Sequence, residues 1–276
     1  MYHDLMKQTN YVRRFMRGEP KIAIVLGSGL YDLLDYVKVS STVPFSKIEG
    51  FPTATIEGHK GRFVFGKLNN VEVVIQDGRV HYYEGYTMQQ VVNPVRILGM
   101  LGIKTLLLTN AAGGVSDKVE TGDIMLINDF ISFFVPSPLI GPNLGELGER
   151  FVDVNVTNNE ILKHILIDTA YKLTVPLKRG DYVQLTGPQY ESISELLFLK
   201  KMGVDAVGMS TVVEAIAASH MGMQVCGISC ITNKTTKENP QLLNHADVEA
   251  VAKGLSRDLG DVLKEAVPKI ANHFKY

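Results

Sequence analysis

The chain has 276 residues, 45% of them hydrophobic, with 28 basic and 29 acidic side chains and a formal net charge of -1. This suits one large α/β domain or two small ones with a substantial core, and no whole-chain field draws in nucleic acid or an anionic membrane, although a local basic pocket is compatible with it. No segment reaches the roughly 18 uncharged apolar residues of a membrane span, and no N-terminal apolar stretch precedes a cleavage site, so a cytoplasmic protein is expected.

Residues 4–17 predict an amphipathic helix with Leu5, Tyr11, Val12, Phe15 and Met16 on or near one face, stopped before Pro20. The run KIAIVLGSGL at 21–30 reads as a strand that ends in the small-residue loop Gly27-Ser28-Gly29. Residues 62–65 and 71–75 alternate around Asn69-Asn70, which predicts a hairpin, with a turn at Gly58-His59-Lys60-Gly61 before it. Residues 87–102 keep helical spacing despite Pro94 and feed TLLLTNAAGG at 105–114, completing a strand, helix, strand unit. In that stretch three consecutive leucines imply a buried strand of a parallel or mixed sheet, and the Ala-Gly half reads either as backbone facing a ligand or as a tight turn needing positive φ at Gly113 or Gly114.

Further strands are predicted at 123–127, 181–185, 205–207 and 224–231, with helices at 158–173, 192–202 and 212–221. Residues 130–148 form a long Pro- and Gly-rich loop, a length that in compact domains usually accompanies function or a partner. The last helix is marked by an apolar stripe from Val248 through Leu255, Leu259 and Val262 to Ile270. Cys226 and Cys230 fit neither a CxxC pair nor a zinc knuckle and read as buried packing residues. With no repeat, low-complexity tract or linker, residues 1–276 read as one domain.

Arg79, His81, Tyr83, Glu84 and Tyr86 crowd a short segment after a strand. If that segment is extended, Arg79, His81 and Tyr83 point the same way, and guanidinium, imidazole and loop N–H groups together suit a phosphate or carboxylate. The bland alternative is a strand edge carrying assorted polar groups. HExxH, GxSxG and GxxxxGK[ST] are absent, and GSGL lacks the third glycine of a dinucleotide loop, since Asp32 occupies that place. In GPQYES, Tyr190 and Glu191 are expected at a strand end, as are Asn233 and Lys234 in ITNK. A carboxylate, an amide and an aromatic ring suit the edge and face of a heteroaromatic base, although Glu191 or Ser192 could equally start the following helix.

Together these pieces closely resemble the trimeric purine nucleoside phosphorylases of the nucleoside phosphorylase superfamily. The likeness rests on seven motifs in order: GSGL near 27, GHxG at 58–61, GRxHxYEGY at 78–86, TNAAGG at 109–114, GPxYE at 187–191, GMST at 208–211 and ITNK at 231–234. The resemblance implies a single α/β domain with a mixed central sheet flanked by helices. It also implies reversible phosphorolysis of purine nucleosides to free base and ribose 1-phosphate, with inorganic phosphate as co-substrate and neither metal nor other cofactor.

By motif position, Ser28, Arg79, His81, Ser210 and the Ala111 N–H would hold phosphate, with His59 beside it. Tyr83, Met209 and His245 would frame the ribose. Glu191 and Asn233 would bind the purine edge, and Tyr190 and Val207 its face. His81, His59, Glu191 and Asn233 would carry the chemistry, and Glu84 would orient its neighbours. Phe151 in GERF resembles the aromatic residue the family inserts into a neighbouring site, which implies a homotrimer. Glu191 opposite Asn233 favours 6-oxopurine (deoxy)ribonucleosides such as inosine and guanosine. A methylthioadenosine/adenosine-type phosphorylase is the alternative, the methylthioadenosine phosphorylases of the same superfamily carrying Ser and Asp at these positions; a water-using nucleoside hydrolase and a silent nucleoside-binding protein are further ones.

Overall fold

The protein is described as a computed structural model covering residues 1–55, 60–154, 159–240 and 244–276. Its strands are β1 (Ile22–Leu26), β2 (Val37–Pro44), β3 (Arg62–Leu68), β4 (Val71–Asp77), β5 (Thr105–Gly114), β6 (Ile124–Ile131), β7 (Leu177–Gln184), β8 (Ala206–Gly208) and β9 (Gln224–Asn233). The helices are α1 (Tyr2–Arg13), α2 (Met88–Val91), α3 (Asn93–Leu101), α4 (Glu160–Lys172), α5 (Ile193–Lys201), α6 (Val212–His220) and α7 (His245–Phe274).

The nine strands of the described residues join one mixed sheet in the order β2-β3-β4-β1-β5-β8-β7-β6-β9, and β9 also pairs with β5, so the last five strands in that order close into a ring. Strands β4, β1, β5 and β9 run parallel side by side. Their carboxyl ends therefore open on one edge, the place where parallel sheets usually receive ligands. Leu106, Leu107 and Leu108 in the middle of β5 are fully buried, two of them in the apolar layer that includes α3 residues and one in the layer that includes α7 residues. Each such side chain contributes roughly 1.5–3 kcal/mol of apolar burial. The consecutive leucines thus reflect a strand covered on both faces by helices.

The hairpin forms as predicted: Asn69 and Asn70 both take positive φ, 46° and 67°, as a two-residue turn that follows the strand twist requires. The helix expected at 87–102 is two pieces broken at Val92, and Pro94 sits in the first turn of α3, where its missing N–H costs nothing. The N-terminal helix ends at Arg13 rather than residue 17. Strand β2 has no counterpart in the predicted elements; its outer residues are mostly exposed and polar, so its sequence carries little of a buried-strand signal. The 130–148 loop starts later than expected, because β6 continues to Ile131. Both cysteines are buried free thiols, and burial pushes each up to about 12.

The largest correction concerns TLLLTNAAGG. No turn interrupts it: β5 runs unbroken to Gly114, with Gly113 paired both to Asn233 of β9 and to Val207 of β8. Neither Gly113 nor Gly114 has positive φ. The small residues are there for space.

Candidate active site

Each strand of the parallel group delivers something to the open edge. The loop after β1 brings Ser28, that after β4 brings Arg79 and His81, β5 brings Asn110 to Gly113, and the end of β9 brings Thr232 and Asn233. With Tyr83, Tyr190, Glu191, Val207, Met209, Ser210 and His245 these line one concave cavity. A wider groove between α1 and residues 87–93 gathers none of the predicted residues.

Strand β5 acts as a ruler across the cavity. Arg79 Nη1 donates to the Thr109 carbonyl at 2.8 Å. Four residues on, a Cβ at Gly113 would lie 3.1 Å from Asn233 Nδ2 and 3.4 Å from Val207. At about 3.3 Å per residue, the guanidinium and the Asn233 amide are anchored roughly 13 Å apart along the strand. A Cβ on Gly187 would press against Met209 Sδ at 2.3 Å and Tyr83 Cδ1 at 3.1 Å, so glycine there leaves room for both of these cavity-lining side chains.

The Arg79 end is tightly organised. Arg79 is 2% exposed and its Nε lies 3.1 Å from Glu214 Oε2. Thr109 Oγ1 accepts from Gly27 N–H at 3.1 Å and donates to Val25 O at 2.9 Å, which ties the Ser28 loop to the strand that holds Arg79. Gly29 has φ +75°, and a Cβ there would lie 2.7 Å from the Glu249 carbonyl of α7, so glycine lets this loop sit against the helix.

His81 Nδ1 lies 3.1 Å from Glu84 Oε1, which also accepts the His81 backbone N–H at 2.6 Å. Glu84 Oε2 accepts from the Thr55 amide and hydroxyl, both at 2.6 Å. Burial opposes ionisation of Glu84, yet the hydrogen bonds from His81 and Thr55 outweigh it and hold the carboxyl at about 2. Burial lowers the His81 pKa below the usual imidazole range. A neutral ring donating Nδ1–H to a carboxylate presents Nε2 as its acceptor. Tyr83 stacks on His81, ring centroids 4.8 Å apart.

The other end holds Tyr190, Glu191 and Asn233. Burial raises the Glu191 carboxyl above the usual range. Ser192, not Glu191, caps α5: its hydroxyl accepts from Glu195 N–H at 3.3 Å and its own N–H donates to Glu195 Oε2 at 2.7 Å. Lys234 donates to Val119 O at 2.9 Å and pairs with Glu120, which pins the chain just after Asn233.

Of the predicted residues, Ser28, Arg79, His81, Tyr83, Ala111, Tyr190, Glu191, Val207, Met209, Ser210, Asn233 and His245 all line the cavity. His59 lies outside the described residues. Phe151 is 90% exposed and does not line this chain's cavity. Two local expectations fail. Tyr82–Glu84 is a 3-10 turn rather than an extended segment, so strand alternation is not what gathers Arg79, His81 and Tyr83. Strand β7 ends at Gln184, leaving Tyr190 and Glu191 in the loop before α5. The sequence reading also missed Glu214, whose only local signal was its third place in a helix.

The phosphorylase superfamily model matches residues 21–268. Purine nucleoside phosphorylase 1 of Bacillus subtilis is 41% identical over 93% of this chain and 95% of its own length. Among solved structures, Schistosoma mansoni purine nucleoside phosphorylase in complex with inosine aligns at TM-score 0.91 and 32% identity, covering 96% of this chain and 95% of that one. Isoform 2 from the same organism, in complex with cytosine and ribose-1-phosphate, aligns at TM-score 0.91 and 36% identity over 96% of both chains. With the family model covering residues 21–268 and relatives matched across nearly the whole length, the chain is a member of the phosphorylase superfamily.

Proposed function

We infer that this chain catalyses phosphorolysis of purine nucleosides, yielding free base and pentose 1-phosphate. The observation that carries the reading is the β5 ruler, which sets a buried arginine and a buried-edge amide about one nucleoside apart along one strand. Relatives named as purine nucleoside phosphorylases, one holding inosine and another ribose-1-phosphate, support it.

In the proposed reaction a phosphate oxygen forms a bond to C1′ as the C1′–N9 bond breaks, and the bonding pair leaves with the purine. Positive charge grows on the ribose and negative charge on the base, so both ends need stabilising. Arg79, Ser28, Ser210 and the Ala111 N–H hold the phosphate, and neutral His81 accepts its remaining O–H at Nε2. Tyr83, Met209 and His245 frame the sugar; Tyr190 and Val207 flank the base. Asn233 donates to N7 as charge accumulates there, and solvent supplies the proton that the departed base takes up. Phosphate is itself the nucleophile and counter-charge, so the scheme calls for no metal or cofactor. His59 is assigned to the phosphate side by its motif alone.

Glu191 selects 6-oxopurines, ribo or deoxyribo, because a carboxylate accepts the N1–H of inosine or guanosine, whereas adenosine offers a bare acceptor that leaves it unpaired at about 1–3 kcal/mol. Phe151 completes the pocket of a second copy in a homotrimer, and the protein works in the cytoplasm. A phosphate-dependent assay over inosine, guanosine, adenosine and methylthioadenosine tests the whole scheme. Undiminished cleavage in phosphate-free buffer would replace phosphorolysis by hydrolysis, and a higher kcat/KM for adenosine or methylthioadenosine would overturn the 6-oxopurine assignment.

A further inference from the structure

Glu214 touches no part of the cavity surface, yet it bonds to two of the elements that form it. It is 3% exposed, and one carboxylate serves two partners. Arg79 Nε lies 3.1 Å from Oε2 and 3.3 Å from Oε1, and the Thr211 N–H donates to Oε2 at 3.0 Å.

The Thr211 contact is unusual for a second reason. Thr211 has φ +87° and ψ -53°, close to the strained γ-turn geometry that β-branched residues rarely adopt. Such a conformation persists only where its surroundings over-determine it. Here Glu214 holds the amide, Asn110 Nδ2 donates to the Thr211 hydroxyl at 2.8 Å, and the Tyr182 hydroxyl donates to the preceding Ser210 carbonyl at 3.0 Å. The kink places Ser210 in the cavity wall.

We propose that Glu214 is a positioning residue that fixes, through one buried carboxylate, both the Arg79 guanidinium and the Ser210–Thr211 kink, so that two phosphate donors from distant parts of the chain are held in register before phosphate arrives. This rests on the phosphate-binding reading of Arg79 and Ser210. Charge and geometry make opposite demands. A carboxylate beside Arg79 cancels part of the field an incoming anion feels, so on charge alone its removal tightens phosphate binding; if orientation dominates, its removal weakens it.

The test compares Glu214→Ala, Glu214→Asp and Glu214→Gln, reading phosphate KM, inosine KM, and the phosphate Kd by calorimetry on nucleoside-free protein. Glu214→Ala is expected to raise phosphate KM and Kd about ten- to a hundredfold while inosine KM stays within about threefold. Glu214→Asp keeps the charge but loses reach, so it should shift phosphate the same way and decides the matter if the alanine variant does not fold. Glu214→Gln keeps an oxygen able to accept from both Thr211 and Arg79, so phosphate binding should return to within about threefold of the parent. Unchanged phosphate affinity in the alanine or aspartate variant, tighter phosphate in the alanine and glutamine variants, a glutamine variant as weak as alanine, or equal losses for phosphate and inosine would each overturn the proposal. If the parent protein does not cleave nucleosides, the functional reading falls on that control, and the calorimetric series still decides the role of Glu214.

Discussion

In the proposed reaction Glu191 and Asn233 divide the work at the base in a way that separate measurements can resolve. Because burial raises the Glu191 pKa, its carboxylate, the form that accepts N1–H, is lost on mild acidification sooner than an exposed glutamate would be. Inosine KM should therefore begin to rise on acidification while the pH is still above the ordinary glutamate value of about 4.5, and Glu191→Gln should flatten that profile, cut inosine kcat/KM about a hundredfold and narrow the gap to adenosine, whose N1 can accept from the amide. A pH profile of inosine KM in the variant as steep as the parent's would place the titrating group elsewhere. Asn233→Ala should lower kcat far more than it changes phosphate KM, since its bond to N7 strengthens only as the base leaves. Arg79→Ala should instead raise phosphate KM. Stability has its own acid limit at the His81–Glu84 pair. With the native His81 pKa lowered, the unfolded chain binds the proton more readily, so stability decreases as pH drops below about 6.5; with native Glu84 at about 2, its contribution is complete above about 4.5 and is lost between there and about 2. Most of these residues were legible in the sequence because their types are chemically costly to bury without purpose. Glu214 was not, because its partner Arg79 lies 135 positions away.

At the scale of elements, β5 is where sequence and structure differ most usefully. Its composition announced close backbone approach, but composition cannot tell a turn from a strand whose neighbours need room. Pairing to β8 and β9 settles that, and pairing is non-local. The same limit explains β2, whose partly exposed residues carry little apolar signal, and the 3-10 turn after His81, which a period-of-two reading could not anticipate. By contrast, α7, the Asn69-Asn70 hairpin and α4 were legible because their periodicity or turn chemistry is local. Gly113 offers a direct test of the spacing argument. Its backbone accepts a side chain without φ strain, but a Cβ would crowd Asn233 Nδ2 at 3.1 Å. Gly113→Ala should therefore reduce kcat about tenfold or more while lowering Tm by only a few degrees, as steady-state kinetics and a thermal melt would show. A large Tm loss with unchanged kcat would mean the glycine serves packing alone.

For the molecule as a whole, the sequence already indicated one α/β domain; what it hid is that the last five strands of the sheet close on themselves through β5 and β9. Among the described residues no helix is long and apolar enough to cross a membrane. Phe133, Ile140 and Phe151 are strongly exposed on the long segment after β6, and Phe151 is the residue the proposed homotrimer would cover. Phe151→Ala should raise nucleoside KM several-fold with little change in phosphate KM, and light scattering should report three chains per particle; a monomer with unaltered KM in the variant would remove Phe151 from the site. The cavity also draws on residues from Ser28 to His245, held by bonds such as Arg79 to Glu214 that span much of the chain. No fragment of the chain can assemble it early, so during refolding catalytic activity should return last, behind the far-ultraviolet signal of the helices. If phosphate binds as proposed, it grips the ends of several strands at once and should act as a late clamp on the finished sheet: at a hundred times its Kd it would add about 2.7 kcal/mol to the native state, slowing unfolding rather than hastening folding.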